Sequence, residues 1–471
     1  MKKTSAIGII GMGTMGKSLA LNLATKNIAV SIYNRHVAGK EEGIAQKVLE
    51  DNPELKVLSG FDNLANFVSS LESPRKILLM IPAGSAVDQQ IEALIPHLSP
   101  GDLVIDGGNS FYKDSSRRFH MLAEKKINFI GAGISGGEEG ARKGPSIMPG
   151  GSREGFELIS PYLYKLSATD KNGMPCTAWI GPEGAGHFVK MIHNSIEYSE
   201  MQAIAEVYYL LNNYLEHTPE EIANTFGQWC KNGASGYLLE ITVKILQKRE
   251  GNTFLLDLIL DQAEQKGTGS WSVNTALENG VPYGPLAEAV MARNLSAMKA
   301  QRVAASNIYT RQKKVLSSEK QAFSQLLFEA YQFTRVINHA VGFGLIHEVS
   351  KKNKWQVDLS EVARIWTNGC IIRSSFMEDL VTIFKESDEL LLAPGLVPKV
   401  KMWEKSARAS VAQGLSNGYP LPVMSAALNY FLGYITADSP ANLTQAQRDY
   451  FGAHTYRRKD KPLDQYFHTL W

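Results

Sequence analysis

Lys190, His193, Asn194 and Glu197 fall at i, i+3, i+4 and i+7 of the stretch Gly184-Ala-Gly-His-Phe-Val-Lys-Met-Ile-His-Asn-Ser-Ile-Glu-Tyr198. If that stretch is helical after its glycines, the four share one face within about 100° of arc, with Tyr198 at its edge. Val189, Ile192 and Ile196 make a different, apolar stripe, with Phe188 and Met191 nearby, so the polar row lies on a helix whose remaining surface largely wants burial. Two readings fit the row. Lys190 and Glu197 could be solvated charges on an exposed face. Alternatively, they stand about 10 Å apart along the axis, so a small polyol held between them would meet an amine at one carbon and a carboxyl at another. A lysine driven toward neutrality by burial can serve as a base. The pattern alone does not decide.

The start of the chain supplies a further constraint. An apolar run at 6–10 enters Gly11-Met12-Gly13-Thr14-Met15-Gly16, and a helical pattern follows through Lys17, Leu19, Leu21 and Leu23. This is a dinucleotide fingerprint in its proper setting of strand, glycine turn and helix. Gly11 permits the tight turn, Gly13 lets backbone amides approach a pyrophosphate, and Gly16 lets helix and strand pack closely. A second apolar run at 29–33 ends in Asn34 and Arg35, where an NAD-binding chain usually carries an acid. Arg35 can neutralise a 2′-phosphate and Asn34 can hydrogen-bond beside it, which favours NADP.

Strands are expected also at 76–80, 103–106 and 128–131, alternating with helical patterns at 86–94 and 115–125. That alternation predicts an α/β Rossmann-type, doubly wound parallel sheet. Asp106-Gly-Gly-Asn109 and Ser135-Gly136-Gly137-Glu-Glu follow two of these strands, so small polar groups and backbone amides gather at the cofactor crevice, although both read equally well as plain turns. Residues 140–151, rich in glycine and proline, read as a further loop near it.

At 471 residues the chain exceeds what one core usually serves. Composition changes near Gly181, after which long helical patterns dominate, including 201–215, 237–248, 323–348 and 423–435. The expected organisation is 1–182 as the NADP-binding domain, 183–439 as an all-helical domain, and 440–471 as a C-terminal tail. The tail's aromatics would be a liability in a free end, so it should dock on something, a partner subunit being one candidate. A net charge of +2 gives no reason to propose a nucleic-acid or membrane surface, and no run is long and apolar enough to span a bilayer. Lys2, Lys3 and the run at 6–10 imitate a secretory signal, but Gly11, Gly13 and Gly16 break it. Cys176, Cys230 and Cys370 have no metal or redox spacing and suit a reducing, cytoplasmic setting as free buried thiols.

These residues together carry a resemblance. The chain is similar, nearly end to end, to the 6-phosphogluconate dehydrogenases, decarboxylating enzymes of the pentose phosphate pathway. The motifs that carry it are Ile105-Asp-Gly-Gly-Asn109, Ser135-Gly-Gly-Glu-Glu-Gly140, Lys143-Gly-Pro-Ser-Ile-Met-Pro-Gly-Gly151, Gly184-Ala-Gly-His-Phe-Val-Lys190, His193-Asn-Ser-Ile-Glu-Tyr198, Lys266-Gly-Thr-Gly269 and Gln445-Ala-Gln-Arg-Asp-Tyr-Phe-Gly-Ala-His-Thr-Tyr456.

The resemblance implies that Lys190 takes the C3 hydroxyl proton as hydride leaves, then protonates the enolate oxygen that forms when carbon dioxide departs, and that Glu197 protonates C1 of the enediol to give ribulose 5-phosphate. It implies that Asn109, Ser135, Gly136, Gly137, His193 and Asn194 hold the carboxylate and hydroxyl end of 6-phosphogluconate, and that Tyr198, Lys266, Arg293 and Arg448 hold its phosphate. His454 would complete the pocket, and the tails of a homodimer would bring Arg448 and His454 in trans. Cofactor contacts would come from Gly11 to Gly16, Asn34, Arg35, His36, Ile81, Pro82, Ala83 and Asn109. No metal is required by that route, and no ligand cluster of recognisable spacing is present. Two positions depart from the family pattern. Pro82 stands where many members carry lysine and His36 where a small hydroxyl residue is usual, and both bear on NADP preference. A non-decarboxylating β-hydroxyacid dehydrogenase would leave Glu197, the phosphate cations and the tail unexplained, and the intact Lys190 and Glu197 argue against a catalytically silent NADPH-binding protein.

Overall fold

The computed structural model describes residues 4–264, 267–310, 314–316 and 318–471. Apolar runs buried on both faces are the mark of parallel strands, and Ile7–Ile10 (β1), Lys76–Leu79 (β4) and Leu103–Asp106 (β5) are buried at every position. With Val30–Tyr33 (β2), Leu58–Phe61 (β3), Asn128–Ser135 (β6) and Ser146–Gly151 (β7) they form one sheet in the order β3-β2-β1-β4-β5-β6-β7. The first six run parallel. Helices Thr14–Thr25 (α1), Ile44–Glu50 (α2), Leu64–Ser69 (α3), Ser85–Leu94 (α4), Tyr112–Ala123 (α5), Gly137–Lys143 (α6) and Arg153–Leu166 (α7) accompany the sheet. One apolar cluster holds Leu19, Leu23 and Ile159 against Ile9 and Ile32, and another holds Phe67, Val87 and Ile91 against Ile10 and Leu79. Opposite sides of the same strands thus serve separate cores, as in a doubly wound Rossmann-type sheet.

Two expectations are corrected here. Residues 140–151 are not a loop: they finish α6 and form β7. That strand pairs antiparallel with β6, from Ile130↔Gly151 to Ser135↔Ser146, so the sheet is not wholly parallel. Its position at the end of the strand order is what tolerates Pro149, which has no N–H to donate to a further strand.

From Ala185 onward the described chain is predominantly helical, apart from a two-stranded hairpin at Arg249–Glu250 and Thr253–Phe254. The stretch 201–215 is not a separate helix. It continues the one bearing Lys190, so that Ala185–Asn213 (α8) is a single 29-residue helix. Helix Lys320–Asn353 crosses it where Gly342 leaves room for Ile196; a Cβ on Gly342 would come within 2.6 Å of Ile196 Cδ1. Ile192, Ile196, Val207, Phe333, Ile337 and Trp366 belong to one large core around this crossing. Among the described residues no helix is long and apolar enough to cross a membrane.

Candidate active site

Helix α8 meets the sheet edge through glycines, and this contact buries the polar row. A Cβ on Gly186 would lie 2.3 Å from Gly131 O and 2.5 Å from Gly150 N, and one on Gly133 would lie 2.2 Å from Lys190 Cβ. The helix backbone therefore lies almost on β6 and β7, closer than any larger residue allows. His187, one turn from Lys190, is fixed by Ser115 Oγ at 2.6 Å from its Nδ1. Replacing Gly133 by alanine is expected to cost about 1–3 kcal/mol through overpacking and to lower kcat/KM by displacing Lys190; thermal melts and steady-state rates check both.

The row itself is largely buried. Lys190, His193 and Asn194 are buried, and the Glu197 side chain is 20% exposed. Lys190 Nζ lies 3.4 Å from His193 Nδ1 and Glu197 Oε2 lies 3.7 Å from the same nitrogen, so the two ends of the row converge on one imidazole. The other ring nitrogen, Nε2, faces Ser135 Oγ at 3.2 Å, and Trp366 packs edge-on against the ring. Burial lowers the Lys190 ammonium pKa, opposed by Glu197. Burial, then the neighbouring Lys190, puts His193 well below the usual histidine range, so its approach to Glu197 is not an ion pair. Burial raises the Glu197 carboxyl, against the pull of Lys190 and Arg293. Solvated charges are excluded by this geometry. It holds a weakened cation and a strengthened acid on one face, with a neutral histidine between them.

Around the row, the described glycine loops and helical segments close in. Ser135 ends β6, buried, and leads to Gly136 at φ 116° and Gly137 at φ 62°, both in a backbone region that glycine favours. Asn109 is exposed on a loop held from beneath by Asp106, whose carboxylate accepts Gly108 N at 3.0 Å, Ser110 Oγ at 2.6 Å and the buried Arg118 Nη1 at 3.2 Å. Asn194 Nδ2 reaches Thr268 Oγ1 at 3.5 Å. The Arg293 guanidinium stacks over the Tyr198 ring, 3.4 Å from its centroid. Lys266 lies outside the described residues.

Arg448 and His454 are exposed, and their described contacts are inside the tail: Arg448 with Gln445, His454 with Phe451. The tail is ordered by Asp449, fully buried, which accepts Thr455 N, Thr469 N, Trp471 Nε1 and His468. Burial works to raise its carboxyl, but the His468, Thr469 and Trp471 donors outweigh that and hold it at about 2.

Where β1, β2 and β4 end, a cavity of about 520 Å³ is lined by Gly11, Met12, Gly13, Asn34, Arg35, Ile81 and Pro82, among others. Thr14 lines an adjoining cavity, Met15 is half-buried, and His36 and Ala83 are exposed. Gly11, at φ 95°, and Gly16 are crowded by backbone, whereas a Cβ on Gly13 would meet nothing within 4 Å. No side chain caps the first turn of α1 and no acid stands in it. The residues present therefore fit a dinucleotide, with room for its pyrophosphate at a helix N-terminus. Asn34 Oδ1 accepts Met12 N at 3.0 Å, and Arg35 pairs with Glu41 at 2.9 Å.

Trp366, Gly369 and Glu41 were not singled out from the sequence, and Thr268 was noted only as part of Lys266-Gly-Thr-Gly269, with no role. Gly369 O would lie 2.6 Å from a Cβ on Gly136, so a remote segment shapes that loop. Cys176 and Cys370 are buried thiols, and Cys230 is half-buried. Among the described residues no group of three or more histidine, cysteine or acidic side chains is placed to hold a metal ion.

Comparison with known proteins follows the same division of the chain. The NAD binding domain of 6-phosphogluconate dehydrogenase matches residues 6–181, and the 6-phosphogluconate dehydrogenase C-terminal domain matches 186–471. A decarboxylating 6-phosphogluconate dehydrogenase of Salmonella typhimurium is 44% identical, covering 99% of this chain and 98% of that one. An NADP(+)-dependent, decarboxylating 6-phosphogluconate dehydrogenase of Bacillus subtilis is also 44% identical, with the same coverage. The solved Plasmodium falciparum 6-phosphogluconate dehydrogenase, studied in its apo form and with NADP+ or 6-phosphogluconate, superposes with a TM-score of 0.94 at 36% identity, over 99% of this chain and 100% of that one. On sequence and on fold alike, this chain belongs to the 6-phosphogluconate dehydrogenase family.

Proposed function

We propose that the chain oxidises 6-phosphogluconate at C3 and releases its carboxylate as carbon dioxide, giving ribulose 5-phosphate. NADP supplies the hydride acceptor. The observation that carries this reading is the buried convergence of Lys190 and Glu197 on His193, beside Ser135 at the end of a Rossmann-type strand.

Lys190, neutral when substrate arrives, takes the C3 hydroxyl proton. The resulting 3-keto acid carries its carboxylate beta to the carbonyl, so carbon dioxide leaves once the developing enolate oxygen is protonated, and Lys190 returns its proton there. Glu197, whose carboxyl is raised by burial, then delivers a proton to C1 of the enediol. His193 and Asn194 hold hydroxyls, Ser135, Gly136, Gly137 and Asn109 hold the carboxylate end, and Tyr198, Lys266 and Arg293 take the phosphate. Following reduced nicotinamide and carbon dioxide together tests the reaction: one of each per turnover, faster with NADP than NAD, is expected, and hydride transfer without carbon dioxide would refute it.

The same reading divides the chain at about residues 182 and 439 and makes it a cytoplasmic homodimer. Tyr450 and Phe451, exposed by 71% and 72%, and Leu470, exposed by 94%, give the tail an apolar surface that wants a cover. If Arg448 and His454 act across that interface, mixing inactive Lys190→Met and Arg448→Ala proteins after co-refolding restores activity, because each hybrid has one site with both groups intact. Activity no higher than that of the separate variants rules out action in trans.

A further inference from the structure

The polar residues that end β2 are already satisfied within the chain. Asn34 Oδ1 accepts Met12 N, which turns its amide so that Nδ2 donates to Glu41 Oε2 at 3.0 Å. Arg35 donates to Glu41 Oε1 from Nη2 at 2.9 Å and from Nε at 3.2 Å. One carboxylate thus holds both donors. Its backbone is fixed as well, since Val37 N and Glu41 N donate to Glu41 O and Val37 O across a turn that has Gly39 at φ 72°.

Among the described residues lining this cavity, Arg35 is the one cation and Glu41 the one anion. Pro82 brings no charge. A 2′-phosphate entering here adds close to two negative charges at neutral pH to a site with no net charge of its own. A free ribose 2′-hydroxyl, by contrast, finds in Glu41 the kind of acceptor that NAD-binding chains place at the end of this strand. The Arg35 side chain is 71% exposed, so its pair with Glu41 is weak enough for a phosphate to displace.

We propose that Glu41 is a specificity-determining residue of the cofactor site. Its carboxylate competes with the 2′-phosphate for Arg35 and Asn34 and accepts a hydrogen bond from an unphosphorylated ribose, which narrows the preference for NADP over NAD. This rests on the reading that Arg35 and Asn34 meet the ribose 2′ position.

Glu41→Gln keeps the size of the side chain and an oxygen for Asn34 while removing the charge. Calorimetric titration of the full chain with adenosine 2′,5′-bisphosphate and with AMP reads the effect without turnover. The variant is expected to bind the bisphosphate about tenfold more tightly, about 1.4 kcal/mol, and AMP no more tightly than the parent. The NADP-to-NAD ratio of kcat/KM should rise by at least a similar factor. Unchanged binding of both probes, or an equal shift in both, overturns the proposal. Arg35→Ala separates the two layers. If it leaves bisphosphate binding intact, the 2′ site lies elsewhere and both readings fall; if it weakens binding while Glu41→Gln changes nothing, only the role of Glu41 falls.

Discussion

Lys190→Met lowers kcat on 6-phosphogluconate by about 10³-fold, the middle of the range for removing a general base, while binding of substrate and NADP is largely kept. Lys190 Nζ and His193 Nδ1 are 3.4 Å apart, so either could be suspected as the base. His193 is the weaker candidate. Burial and the adjacent Lys190 push it far down, and its Nε2 is engaged with Ser135. Lys190 is lowered from a much higher starting value, which leaves it the stronger base while making the neutral amine accessible. The pH profile follows in sign. A protonated lysine cannot accept the C3 proton, so activity falls as pH drops through its lowered pKa. His193→Gln should retain that acid limb and Lys190→Met should lose it.

Stability follows pH in the same direction. Because the folded state lowers the lysine pKa, the unfolded chain binds more protons between the lowered value and 10.5, and stability rises with pH over that window. Methionine removes the cost of burying the amine, so Lys190→Met should melt no lower than the parent. A variant that loses activity together with several degrees of melting temperature would point to packing rather than proton transfer as the role of Lys190.

The glycine fingerprint, the four-residue row and its partition from the apolar stripe are all local patterns, and these were readable in the sequence. Burial of the row was not. It depends on Gly131, Gly133 and Gly150, more than thirty residues upstream, whose absent side chains admit α8; in sequence such glycines read as turns. The same confusion made 140–151 a loop, since Pro149 and its neighbours look like punctuation when they are an edge strand opposed to β6. Thr268 and Trp366 reach Asn194 and His193 from segments more than seventy residues away, with no periodicity linking them. Glu41 sits in a loop where a charge ordinarily signals only solvent. Its meaning comes from the turn that closes it onto Asn34 and Arg35.

Glu197→Gln separates the end of the reaction from its beginning. Glutamine fills the same space, but it cannot donate a proton to carbon. Hydride transfer in a single turnover should therefore proceed at close to the parental rate, while steady-state kcat falls by about 10²-fold. The decisive measurement is made in deuterated water. In the parent, Glu197 approaches the enediol from one side and ribulose 5-phosphate should carry deuterium at C1 with one configuration. In the variant the enediol is protonated by solvent and the label should be scrambled. The alkaline limb of the parental profile has the matching sign. Burial raises the Glu197 carboxyl above its usual 4.5, so the acid needed for this step is lost as pH rises through the raised value. That limb should vanish in the variant. Stability obeys the same linkage: between 4.5 and the raised pKa the folded chain binds more protons than the unfolded one, so stability falls as pH rises across that window, and the glutamine variant should be free of the fall. Stereospecific labelling at an undiminished rate would assign the final proton to another group, and His193 could supply it only by protonating in a site that strongly disfavours its charge.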